Sequence, residues 1–147
     1  MLRYAITSRA LYPGDERDRQ AALVREASRW AANGVNLIQL REKDLSAAEL
    51  ANLAREALEV IARTTSSTKL LINSRPDIAI ATRAHGVHLT SDRDELTPAQ
   101  VRSLYASAKL APPIVTISCH TLDDVQRARD LFDYVSGGYQ LNGAGHP

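Results

Sequence analysis

Gly34-Val35-Asn36-Leu37-Ile38-Gln39-Leu40-Arg41-Glu42-Lys43-Asp44-Leu45-Ser46 passes from a helix stop, through a short strand, to the cap of another helix. Asn33-Gly34 closes the helical pattern before it, since glycine takes the left-handed conformation at a helix end without a Cβ clash. Asn36–Arg41 is the strand, and Ser46-Ala47-Ala48-Glu49 restarts a helix. There the Ser46 side chain is placed to accept from a free amide of the first turn, and Glu49 to bond back to the cap residue. Strand, charged turn, capped helix is one β/α unit.

The same unit recurs on both sides. Leu2–Thr7, Lys69–Asn73, Gly86–Leu89 and Pro113–Ser118 read as further strands, and Asp133–Ser136 begins a sixth. Helical spacing of apolar residues fills the intervals. Leu23, Val24, Ala27, Trp30 and Ala31 recur between Glu16 and Ala32; Leu50, Leu53, Ala54, Ala57, Leu58 and Ile61 follow Ser46. Pro76–Ala84 is a short helix, Thr97-Pro98-Ala99-Gln100 opens another, and Thr121 opens the last, expected to bury Leu122, Val125, Ala128 and Leu131. Alternation of this kind specifies parallel β/α units. It admits an open doubly wound sheet, complete with five or six strands, or a closed eight-unit barrel, which usually takes about 200–250 residues. Length by itself, 147 residues, favours the open sheet, although no Gly-rich phosphate loop follows the first strand to support it.

Residues 1–136 read as one β/α domain. Residues 137–147 hold four glycines without alternation and read as an irregular Gly-rich tail. The abrupt shift at Ser136 reads as a C-terminal truncation or an altered reading frame. Lys+Arg 18 against Asp+Glu 17 leaves a formal charge of +1, so no basic surplus argues for nucleic acid or an anionic membrane as partner. The single cysteine, Cys119, has no internal disulfide partner, and no apolar run approaches the roughly 18 residues of a membrane span. Cytoplasmic location is the expectation.

In parallel β/α proteins the strand C-termini face the ligand. Gln39 and Arg41 point one way there and Leu40 the other. Arg41 offers a fork of donors and Lys43 a mobile ammonium, together suited to a diphosphate; the alternative is a solvated charge cluster at a strand exit. Asn73 is placed either to bond a heterocycle edge or to make a turn before Pro76. Ser118 falls at a strand end, and Thr121 caps a helix whose first amides are suited to a phosphate oxygen. His88 and His120 read as hydrogen-bonded structural residues before ligands or bases, and Cys119 has no basic neighbour to activate it.

Tyr4-Ala5-Ile6-Thr7, the Gly34–Ser46 stretch, Leu71-Ile72-Asn73-Ser74-Arg75-Pro76-Asp77-Ile78-Ala79, Ala84-His85-Gly86-Val87-His88-Leu89, Ser118-Cys119-His120-Thr121 and Asp133-Tyr134-Val135 occur in that order. Together they resemble the thiamine phosphate synthase and thiazole tautomerase family, over about residues 2 to 136. The resemblance implies an incomplete (β/α)8 TIM barrel of about five to six units, open rather than closed. It implies an enzyme of thiamine biosynthesis that joins hydroxymethylpyrimidine diphosphate to thiazole phosphate and releases pyrophosphate. By the same resemblance Gln39, Leu40, Arg41, Glu42 and Lys43 bind the pyrimidine diphosphate, Asn73 contacts the pyrimidine, and Ser118 lies beside the diphosphate; Arg41, Lys43 and Ser118 are the catalytic candidates.

The resemblance also implies Mg2+. The family's first magnesium aspartate falls where this chain has Ser74, and its second aligns with Arg93, flanked by the candidate metal ligands Asp92 and Asp94. The family's later phosphate loops have no counterpart here, and Gly137, Gly138 and Tyr139 stand where the tautomerases place a histidine. The alternatives are therefore a thiazole tautomerase-like protein, or a non-catalytic pyrimidine-phosphate-binding or structural remnant. An unclosed barrel leaves strand edges and apolar interior uncovered, so a homo-oligomer is expected.

Overall fold

The computed structural model describes residues 2–90, 95–119, 121–128 and 132–136. The elements are β1 (Tyr4–Ile6), α1 (Glu16–Ala32), β2 (Leu37–Leu40), α2 (Ala47–Ala62), β3 (Lys69–Asn73), α3 (Pro76–Thr82), β4 (Gly86–Leu89), α4 (Pro98–Ser107), β5 (Ile114–Ser118), α5 (Leu122–Ala128) and β6 (Tyr134–Ser136), with a 3-10 turn, Arg9–Leu11, after β1. All neighbouring strands are parallel and follow chain order from β1 to β6. A doubly wound sheet reverses its strand order at a switch point, and this sheet has none. Right-handed crossovers in unbroken sequence put the helices on one face and curl the sheet toward a barrel. The result is the expected incomplete barrel. Among the described residues it is open, with β1 and β6 ending the hydrogen-bonded order. The Gly-rich tail, 137–147, lies outside the described residues, as does His120.

Register decides which side chains share a face. Ile6 pairs with Gln39, Gln39 with Leu71, Asn73 with His88, and His88 with Thr116. Residues in register lie on one side of a sheet, as do residues two apart along a strand. Tyr4, Gln39, Asn73, His88, Thr116 and Ser118 therefore all face the concave interior. The opposite face carries Ile38, Leu40, Leu70, Ile72, Val87, Leu89 and Val115, which join Leu23 and Ala27 of α1 and Leu53 and Ala57 of α2 in one core.

Local chemistry sets the helix ends. Ser46–Glu49 and Thr97–Gln100 form the expected capping boxes, and a third, Asp15–Asp18, starts α1. Gly34 has φ +81°, the conformation its place after α1 called for. α3 stops at Thr82 because Arg83 turns left-handed, with φ +60°. In α5 the expected burial holds for Val125 and Ala128, but Leu122 is exposed, and Leu131 lies outside the described residues. Leu122 is the first helical residue, and its Cα–Cβ bond tilts back past the end of the helix into solvent. Among the described residues, no helix is long and apolar enough to cross a membrane.

Candidate ligand site at the strand C-termini

The concave face carries a buried polar chain linking four strands. Gln39, 1% exposed, donates from Nε2 to the Tyr4 hydroxyl at 2.9 Å. That hydroxyl lies 3.2 Å from His88 Nδ1, with Thr116 Oγ1 at 2.5 Å from the same nitrogen. On the far side of the ring, His88 Nε2 is 2.7 Å from Ser118 Oγ. Burial, reinforced by the positive charge of Arg41, pushes the His88 pKa down to about 4, so the ring is neutral near pH 7. Among the described residues, Gln39 Oε1 is buried and meets no hydrogen-bond donor.

The rim is built by the charged turn after β2. Arg41, Lys43 and Asp44 are exposed, whereas Glu42 is buried. Glu42 Oε2 accepts from the Thr7 hydroxyl at 2.6 Å, and Oε1 accepts from the Arg9 backbone amide at 3.1 Å and Arg9 Nη1 at 3.0 Å. Arg9, itself buried, also bonds Asp44 at 2.8 and 2.9 Å and Glu16 through Nε at 2.8 Å. These carboxylates, Asp44 foremost and Glu16 next, raise the guanidinium pKa further, and Arg9 in turn holds both below the usual carboxylate range. The Thr7 hydroxyl closes the lattice by accepting from the Arg41 amide at 3.0 Å. Glu42 thus anchors the turn, and Leu40 packs into the helix-side core at 1% exposure; both also border the larger cleft at this rim. A carboxylate between two cations is better used to fix their backbone than to cancel their charge.

Two clefts meet this rim. One of about 290 Å3 is lined by Lys43, Asn73, Ser74, Thr90 and Glu95, and another of about 210 Å3 by Ser8, Arg9, Arg19, Arg41 and Lys43. Lys43 borders both. The structure therefore brings Gln39 and Ser118 onto one hydrogen-bonded chain, places Asn73 beside His88 on the same face, and sets Arg41 and Lys43 at the mouth.

Ser74 holds a left-handed conformation, φ +55°, and its hydroxyl donates to Glu95 Oε1 at 2.5 Å; the Thr90 amide donates to Glu95 Oε2, also at 2.5 Å. Glu95 is thus the carboxylate that meets Ser74, with both oxygens engaged. Among the described residues no group of three His, Cys, Asp or Glu is placed to hold a metal. Magnesium is commonly held by one or two carboxylates together with substrate phosphates and waters. Asp92 and Asp94 lie outside the described residues.

Sequence reading missed Tyr4, Thr7, Arg9, Thr116 and Glu95 as site residues. Tyr4, Thr7 and Thr116 were within reach of it, since each sits on or just after a strand whose in-register neighbour was already singled out. Arg9 and Glu95 carried no such signal, because loops brought them in.

Parallel strands in sequential order, with polar groups gathered at their C-terminal ends, define a protein of the β/α-barrel class with its candidate site where such barrels bind ligands. The family model described as thiamine monophosphate synthase, TMP-TENI, matches residues 4–144, and the chain belongs to that family. It is 34% identical over 137 residues to a thiamine-phosphate synthase of Caldanaerobacter subterraneus subsp. tengcongensis, covering 92% of this chain and 57% of that protein. It is 36% identical over 136 residues to that of Solidesulfovibrio magneticus, covering 92% and 58%. The fold matches a solved thiamine phosphate pyrophosphorylase from Pyrococcus furiosus with a TM-score of 0.72 at 19% identity, over 97% of this chain and 62% of that one. The chain thus spans somewhat over half the length of the curated relatives it matches.

Proposed function

We propose that this chain is a thiamine phosphate synthase-like protein of thiamine biosynthesis, which binds hydroxymethylpyrimidine diphosphate with the heterocycle inside and the diphosphate at the rim. The observation that carries this reading is the pairing of a buried, donor-seeking Gln39 Oε1 with two exposed cations, Arg41 and Lys43, at the mouth of the same face. An aminopyrimidine supplies the missing N–H, and a diphosphate supplies the charge that the cations lack. In the reaction, the bond from the methylene carbon to the diphosphate oxygen breaks, the electron-rich ring steadies the carbocation, the thiazole nitrogen attacks it, and pyrophosphate leaves. Negative charge grows on the leaving oxygen, so fixed cations stabilise the transition state more than the ground state. Arg41 and Lys43 serve that end, Ser118 adds a hydroxyl, and Asn73 holds the ring edge. A cytoplasmic location belongs to the same reading.

Calorimetric titration with hydroxymethylpyrimidine diphosphate tests it. Binding is expected, with Arg41→Ala weaker by about tenfold or more, the weight of a charge-assisted hydrogen bond. Adding thiazole phosphate should then release pyrophosphate; binding without release would leave a pyrimidine-phosphate-binding protein, and unaltered affinity in Arg41→Ala would overturn the site assignment. Self-association through the β1 edge is part of the proposal, since Ile6 is 51% exposed there on the concave side. A compact monomer in sedimentation at micromolar concentration would count against that part.

A further inference from the structure

We propose that Tyr4 and His88 are positioning residues: with Gln39 they form a one-way chain of hydrogen bonds that fixes Ser118 as an acceptor from the ring and leaves its hydroxyl proton for the ligand's anionic end. The inference rests on the functional reading above for what the anion is, but its geometry is read from the protein alone.

Direction follows from counting protons. The Tyr4 oxygen already accepts from Gln39 Nε2, so its single proton must go elsewhere, and His88 Nδ1 lies 3.2 Å away. Thr116 Oγ1, 2.5 Å from that nitrogen, brings a second hydroxyl proton to the same edge of the ring. A neutral imidazole carries one ring proton, donating at one nitrogen and accepting at the other. Two hydroxyls crowd Nδ1 and one, that of Ser118, meets Nε2 at 2.7 Å. Placing the ring proton on Nε2 leaves Nδ1 one lone pair, which takes the nearer Thr116 hydroxyl while Tyr4 bonds Thr116 in turn, and makes Ser118 Oγ an acceptor from the ring. The Ser118 proton then has no use within the chain. Ser118 ends β5, half-buried, on the face whose rim carries Arg41, whose charge acts on the His88 ring. With the opposite tautomer Ser118 would spend its proton on Nε2 and present only lone pairs to an incoming anion, a repulsive arrangement. The chain therefore has a polarity, with an acceptor, Gln39 Oε1, open at its inner end and a donor open at its outer end.

The test uses the full chain with histidine labelled in the ring nitrogens, and inorganic pyrophosphate as the probe. Pyrophosphate has no heterocycle, so changes at Gln39 do not confound it. Long-range 15N correlation spectra should show His88 as the Nε2–H tautomer; an Nδ1–H ring would overturn the proposal whether or not any ligand binds. Tyr4→Phe removes the hydroxyl at nearly constant volume and should weaken pyrophosphate binding about tenfold while raising the Nδ1–H population. Ser118→Ala should weaken binding by a similar factor. Because Tyr4 acts through Ser118, adding Tyr4→Phe to Ser118→Ala should change affinity no further. Additive losses in the double variant would mean that Tyr4 acts only on overall packing, and would overturn the proposal. If the parent protein binds no pyrophosphate, the functional reading fails while the tautomer still decides the chain's direction.

Discussion

Arg9→Met loses about 3–5 kcal/mol of folding stability, the usual cost of leaving one partner of a buried ion pair without the other. The residue follows β1 in a short turn, and its guanidinium has charged partners from two further segments: Glu16 at the start of α1, and Glu42 and Asp44 after β2. Glu16 and Asp44 are exposed enough for water to replace Arg9, so the loss concentrates on Glu42, whose side chain is 3% exposed. In the variant Glu42 keeps the Thr7 hydroxyl and the Arg9 backbone amide but has no counter-charge in contact. Arg9→Lys should restore little, because an ammonium cannot span three carboxylates with a planar fork. Adding Glu42→Gln to Arg9→Met removes the stranded charge and should recover part of the loss, which a double-mutant cycle in urea measures. A single-variant loss under about 1 kcal/mol, the range of surface ion pairs, would show that this cluster behaves as solvent-exposed.

Gly86→Ala is the second large effect. A Cβ built at Gly86 would stand 1.9 Å from the Ile114 carbonyl oxygen, 2.7 Å from its carbon and 2.8 Å from its nitrogen. All three are backbone atoms of β5, so no side chain can swing aside. Gly86 and Ile114 are paired in the parallel ladder, and relief requires the two strands to separate where they bond. Overpacking usually costs about 1–3 kcal/mol, and a rigid backbone neighbour puts this site at or beyond the upper end. The damage should also reach the site, since His88 lies two residues along β4 and pairs with Thr116. Urea unfolding and amide exchange along β4 and β5 measure both consequences. A variant with the parent's midpoint would show that the strands do not approach this closely.

Much of the scaffold was legible because it rests on local rules. Lys69–Asn73 and Gly86–Leu89 emerge with the expected bounds, and Ser46 and Thr97 cap as their spacing requires. The Leu2–Thr7 strand is shorter, Tyr4–Ile6, because Asn36 caps the Arg3 amide with its side chain while the Arg3 carbonyl is shared between the Asn36 and Leu37 amides. Alternation by itself could not choose between the two sheet architectures, since strand order is a tertiary property; the resemblance made that choice. The shared polar face was legible where it lies on strands, as with Gln39, Asn73 and Ser118. It was illegible where function depends on which charge is neutralised. In Arg41-Glu42-Lys43 all three residues read alike on paper, and only the approach of Arg9 and Thr7 separates the anchored carboxylate from the outward cations. Likewise nothing near Ser74 foretold Glu95, which returns from a loop twenty-one residues later to meet it.

The lone acceptor on Gln39 has a consequence for selectivity. A desolvated carbonyl without a donor burdens the unliganded protein by about 1–3 kcal/mol. A guest bringing an N–H to that spot relieves the burden, whereas a same-shaped guest with a methyl or ring carbon there leaves it in place. On the proposed reading, discrimination between such look-alikes rests on that one carbonyl oxygen.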